Sequence, residues 1–82
     1  MSDADQRLRA LGHAIRAVRR ECDLSQEAVA ALSGVHVNQI GRLERGEANA
    51  RLVTFLRVVD GLGVPLSEIG RRYEARLQAD RR

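Results

Sequence analysis

Apolar residues recur along this chain at alternating spacings of three and four, the period of helices that bury one side. Residues 1–5 are polar and are expected to fray. Beyond them Leu8, Leu11, Ile15, Val18 and Cys22 line one face of a first helix, with Arg7, Arg9, Arg16 and Arg20 opposite. As the last member of that stripe, Cys22 reads as a core thiol. Asp23 interrupts the pattern. Ser25 then stands where an N-cap belongs, and Glu27 falls in the first turn, where a carboxylate suits the helix dipole. Ala28, Val29, Ala30, Ala31 and Leu32 make a second helix small enough for close approach by a neighbour. Gly34 follows as a residue free to take positive φ after a helix end.

A third helix is expected from about His36 to Glu44 or Arg45, stopped by Gly46. Ile40 and Leu43 face inward with Val35, leaving Val37, Asn38, Gln39, Gly41 and Arg42 outward. Residues 47–51 form a linker, with Asn49 as a possible cap for a fourth helix over 52–61. Leu52, Phe55, Leu56, Val59 and Leu62 supply its buried side, and Gly61 and Gly63 end it. Pro65 permits a new start. The fifth helix shows Leu66, Ile69, Tyr73 and Leu77, surrounded by Arg71, Arg72, Arg76, Arg81 and Arg82. Strand alternation, repeats and low-complexity tracts are absent. The expectation is an all-α, five-helix single domain over 1–82.

Composition narrows the functional classes. Aromatics are limited to Phe55 and Tyr73, so the core must be aliphatic and no stacking platform for single-stranded nucleic acid exists. The lone Cys22 excludes an internal disulfide and a thiolate zinc cluster. His13 and His36 lack partners at ligand spacing, so no metal is expected. No nucleophile sits with a base, and no glycine loop could cradle phosphates, so neither an enzyme nor a cofactor is expected. No apolar run approaches membrane-spanning length and no signal peptide is visible, which leads to the expectation of a cytoplasmic protein. The net charge of +3 arises wholly in residues 42–82, where nine Arg face six acids; residues 1–41 balance at five of each. All basic side chains are Arg. A GC-rich genome accounts for that, although Arg also forks phosphate and guanine as Lys cannot.

The helix–turn–helix hairpin at 25–45 cannot bury its own apolar side, and what it leaves exposed is one rod suited to the DNA major groove. Four segments carry a more specific signal: Leu24-Ser25-Gln26-Glu27, Ser33-Gly34-Val35, Ile40-x-Arg42-Leu43-Glu44-Arg45-Gly46 and Leu62-Gly63-Val64. In this order and spacing they resemble the phage-repressor-type (Cro/repressor-like, XRE) helix-turn-helix family over about residues 11 to 70. The resemblance implies a compact lambda-repressor-like domain that binds double-stranded DNA. It implies base contacts from Val37, Asn38, Gln39 and Arg42. Phosphate contacts are implied for Gln26, His36, Arg45 and Arg51, and a structural ion pair for Arg19 and Glu44. Three positions depart from the family pattern: Ala50 for a usual Pro, Arg51 for a usual N-cap Ser or Thr, and Gly41 inside the reading helix. The last costs about 1 kcal/mol against Ala; its bare backbone either approaches DNA or contacts nothing.

Chemistry gives each reader a role and a plainer alternative. Arg42 can pair with guanine O6 and N7, and Asn38 or Gln39 with adenine, or they can simply hydrate a helix face. Val37 fits a thymine methyl. In the fifth helix, within 65–82, Leu66 and Ile69 suffice to close a core, so the continuation through Tyr73 and Leu77 suggests that Leu66, Tyr73 and Leu77 meet a second copy. The alternative is that Tyr73 folds back onto the first helix. Taken together, a homodimeric, sequence-specific transcriptional regulator on a palindromic operator is expected. A phage-type repressor, a restriction–modification controller and an antitoxin remain open. So does a module that keeps the fold and works through a protein partner.

Overall fold

The computed structural model describes residues 2–47 and 49–82. Of the linker positions, Ala48 lies outside the described residues, as does Met1 of the polar start. Five helices follow one another: α1 (Asp3–Glu21), α2 (Gln26–Ser33), α3 (Val37–Glu44), α4 (Leu52–Leu62) and α5 (Leu66–Asp80). The largest fully buried side chains are Ile15, Val29, Ile40, Val58 and Ile69, one from each helix. A wholly aliphatic centre therefore ties all five elements into one core.

Local chemistry sets the helix ends. At the start, where fraying is expected, the Ser2 hydroxyl accepts from Asp5 N at 3.1 Å and α1 begins at Asp3. Asp3 and Asp5 in the first turn and Arg19 and Arg20 in the last complement the dipole. Ser25 caps α2 by accepting from Ala28 N at 3.0 Å, and Gly34 ends it at φ 75°. Cys22 is not a core thiol. The helix ends beneath it, Cys22 becomes the C-cap, and its side chain is exposed.

Two expected faces are rotated or reassigned. On α4, Val58, Val59 and Leu62 are buried and Phe55 is half-buried, whereas Leu52 (72 %) and Leu56 (37 %) are exposed. Close approach to α2 explains the rotation. A Cβ on Gly61 would lie 2.9 Å from Ser33 Cβ, so the Gly61 side of α4 is held against α2 and Leu52 is turned outward. Asn49 is not the cap of α4; Arg51 holds that position, with no side-chain hydrogen bond.

On α5, Leu77 is buried and Tyr73 half-buried, both covered within the chain; Arg7 Nη1 donates to the Tyr73 hydroxyl at 3.0 Å. Their apolar surface is therefore not free for a partner in the way the stripe suggested, while Leu66 stays half exposed. Ion pairs fasten α5 along α1. Arg72 grips Glu21 with two nitrogens and Glu68 with Nε at 2.7 Å, and Arg81 reaches Asp3 at 2.7 Å. Hydrogen bonds from Arg71 and Arg72 pull the Glu68 carboxyl down to about 2.

Candidate nucleic-acid interface

The turn between α2 and α3 is built from short polar links. Ser33 Oγ accepts from Val35 N at 3.1 Å, which aims the chain from Gly34 into α3. His36 caps α3 with its imidazole: Nδ1 accepts from Asn38 N at 3.1 Å. A neutral ring used this way keeps its proton on Nε2, which leaves a donor on an exposed residue at the helix start.

One side of α3 is locked. Ile40 and Leu43 are buried, and Glu44 is only 7 % exposed. Arg19 meets the Glu44 carboxylate with two parallel bonds, Nε to Oε2 at 2.6 Å and Nη2 to Oε1 at 3.0 Å, and its Nη1 donates to Leu24 O at 2.8 Å. Gln26 Nε2 donates to Glu44 Oε1 at 3.1 Å. The pair thus joins α1, the start of α2 and the end of α3, with the Arg19 guanidinium held above its ordinary pKa chiefly by that bond to Glu44. Among the described residues no buried side-chain N or O lacks a partner.

The other side of α3 is open. Asn38, Gln39 and Arg42 are exposed, and Val37 is half-buried rather than fully outward. Gly41 is buried, not outward: the Gln26 amide and the Arg45 guanidinium lie over it, 3.6 and 3.1 Å from where its Cβ would stand. Its bare backbone faces those two side chains, not solvent.

Two polar clefts flank this crest. The near cleft lies between α2 and α3 and is lined by Gln26, Glu27, Asn38, Arg42 and Arg45. The far cleft lies toward α4 and is lined by Gln39, Arg42, Asn49, Arg51 and Thr54. Arg42 borders both. Of the four expected phosphate residues, Gln26 and Arg45 fall in the near cleft and Arg51 in the far one; His36 stands apart at the start of α3. Asn49 and Thr54 went unrecognised because no periodicity links a linker and the first turn of α4 to α3. Glu47 also escaped notice; it pairs with Arg45 Nε across two residues. No group of three or more His, Cys, Asp or Glu side chains among the described residues could hold a metal. No helix is long and apolar enough to cross a membrane.

Comparison with known proteins agrees with this architecture. A family profile described as helix-turn-helix matches residues 15–69. An HTH-type transcriptional regulator of Haemophilus influenzae is 37 % identical over 56 residues, covering 68 % of this chain. The chain spans 57 % of that relative's length. The crystal structure of the restriction-modification controller protein C.AhdI from Aeromonas hydrophila superposes with a TM-score of 0.72 at 35 % identity, covering 76 % of this chain and 94 % of the other.

Proposed function

Because the chain belongs to the helix-turn-helix family of phage-repressor (XRE) type, whose members are DNA-binding transcriptional regulators and not enzymes, we propose that it recognises a palindromic operator as a homodimer and represses or autoregulates transcription there. The observation that carries this reading is the exposed crest of Asn38, Gln39 and Arg42 on a helix whose reverse side is fixed by Ile40, Leu43 and the Arg19–Glu44 pair. A rigid rod with polar tips can read base edges in a major groove, because its geometry is set before binding. In this reading Arg42 pairs with guanine, Asn38 or Gln39 with adenine, and the part-exposed Val37 meets a thymine methyl. Gln26, His36, Arg45 and Arg51 take phosphates, joined in the far cleft by Asn49 and Thr54. The uncapped start of α4 beside Arg51 adds free backbone N–H groups there.

A single hairpin reads only a few base pairs, so a two-fold partner doubles the site. Apolar surface for that partner lies on α4, where Leu52, Val53 and Leu56 are exposed, together with Leu66 at the start of α5; Leu32 on α2 is exposed as well. This face replaces the Tyr73–Leu77 surface in the account. The likeness to C.AhdI favours a controller of a restriction–modification operon among the three roles open to a small regulator. The cytoplasm is the compartment in which such a protein works.

The roles separate by mutation. Arg42→Ala should relax preference at one base position of a selected duplex, a loss of about 1–3 kcal/mol confined to that position. Gln26→Ala should weaken binding evenly across sequences. Measured affinities for a panel of single-base variants distinguish the two. A uniform loss in the Arg42 variant would remove that residue from base reading.

A further inference from the structure

The two clefts beside α3 differ in charge. The far one is lined by Arg42 and Arg51, neither of them ion-paired among the described residues, and by no carboxylate. The near one is lined by Glu27 as well as by Arg42 and Arg45, and Arg45 is already engaged by Glu47 through its Nε. The guanidinium lies over α3, with Nη1 3.1 Å from the place a Cβ on Gly41 would take, beside the Gln26 amide. Of the two cations lining the near cleft, Arg42 is shared with the far cleft, and Arg45 has its Nε taken by the chain's own carboxylate.

We propose that Glu47 is an internal stand-in for a DNA phosphate: it holds the Nε donor of Arg45 and is displaced when the near cleft takes up the duplex backbone. The proposal rests on the duplex-binding reading of the same face. A carboxylate and a phosphate oxygen are the same kind of acceptor to a guanidinium, so the two compete for one edge. Both partners of the pair are about half exposed, at 57 % and 52 %. Ion pairs so exposed contribute little, so phosphate exchanges for carboxylate at low cost. Glu47 consequently tempers the sequence-independent part of binding and leaves Asn38, Gln39 and Arg42 untouched. It shifts the balance toward base reading, since phosphate contacts position a protein while base contacts specify the site.

The test is Glu47→Gln, alone and with Arg45→Ala, titrated across a salt series with two probes: a short random-sequence duplex and one selected for binding. Glu47→Gln should bind both roughly threefold more tightly at low salt, the order expected for removing an exposed ion pair, with a log–log salt slope close to that of wild type, because the same phosphate contact forms in both once Glu47 is displaced. Adding Arg45→Ala should abolish the gain. Unchanged affinity in Glu47→Gln would overturn the proposal, and so would a slope steeper by about 0.9, because wild type would then lack the Arg45 phosphate contact altogether. So would a gain that survives without Arg45, because general repulsion by the carboxylate would then suffice. If wild type and variants all fail to bind either duplex, the duplex-binding reading itself falls and this proposal falls with it.

Discussion

Glu44→Ala should cost about 3 kcal/mol of folding stability, near the lower end of the range for breaking a buried ion pair. The carboxylate side chain is 2 % exposed and that of Arg19 11 %, so removing one leaves the other charge with little water to replace it. Gln26 loses its acceptor in the same step. For a domain of this size the loss lowers the melting temperature by on the order of 15 °C. Calorimetry or a thermal melt followed by helical circular dichroism measures it directly. An unchanged melting temperature would mean that α3 is held by its apolar contacts alone. Duplex binding at a temperature where the variant is still folded should also fall, because the pair ties the end of α3, the helix proposed to read bases, to α1.

Gly12→Ala should destabilise by about 3 kcal/mol, the upper part of the usual range for overpacking. Helix propensity alone predicts the opposite sign, since Ala is better than Gly in a helix interior by about 1 kcal/mol. Packing decides. A Cβ at Gly12 would stand 2.3 Å from Leu43 O and 2.6 Å from Glu44 O, both backbone atoms at the end of α3. Neither can turn away as a flexible side chain could, so α1 and α3 must separate. Gly70, in the second turn of α5, has nothing within 4 Å of its would-be Cβ. Gly70→Ala should therefore stabilise by about 1 kcal/mol. Chemical denaturation of the two variants side by side isolates close approach from propensity, because the substitution is the same.

What could be read from residues alone followed the range of the interactions involved. Ser25 and Gly34 announce the bounds of α2 through bonds that span three or four positions, and such signals survive folding intact. The side of α3 that carries Ile40 and Leu43 was legible for the same reason. Rotations were not. The spacing of Leu52, Phe55, Leu56, Val59 and Leu62 defines an apolar sector wider than the side that α4 buries. Which part faces inward depends on Gly61 meeting Ser33, a contact with another helix. Tyr73 and Leu77 looked surplus because the length over which α5 lies along α1 cannot be read from either stripe alone. Cys22 kept the period yet fell past the helix end, where the backbone turns at Asp23 with φ 57°. Gly41 kept its place on α3 and is covered by side chains from α2 and from the C-cap.

The same division runs through the interface. The exposed tips of α3 were evident from the pattern of Val37 to Arg42, since one helix determines them. The clefts were not, because each joins α3 to another element and recruits residues such as Thr54 that share no period with it. Charge is the exception to that range rule: Glu47 engages Arg45 from only two positions away, yet no periodicity marks the pair. The +3 total therefore says less about binding than the placement of Arg42 and Arg51 beside α3, neither of them ion-paired among the described residues.

The most direct test of the account is selection of bound fragments from a pool of random duplex DNA, followed by sequencing. A rigid, base-reading α3 presented twice by a two-fold dimer predicts enrichment of two short inverted half-sites centred about one helical turn apart. It also predicts that the enrichment disappears at the position read by Arg42 when that residue is replaced by alanine. Recovery of fragments with no shared sequence, or no recovery at all, would contradict it.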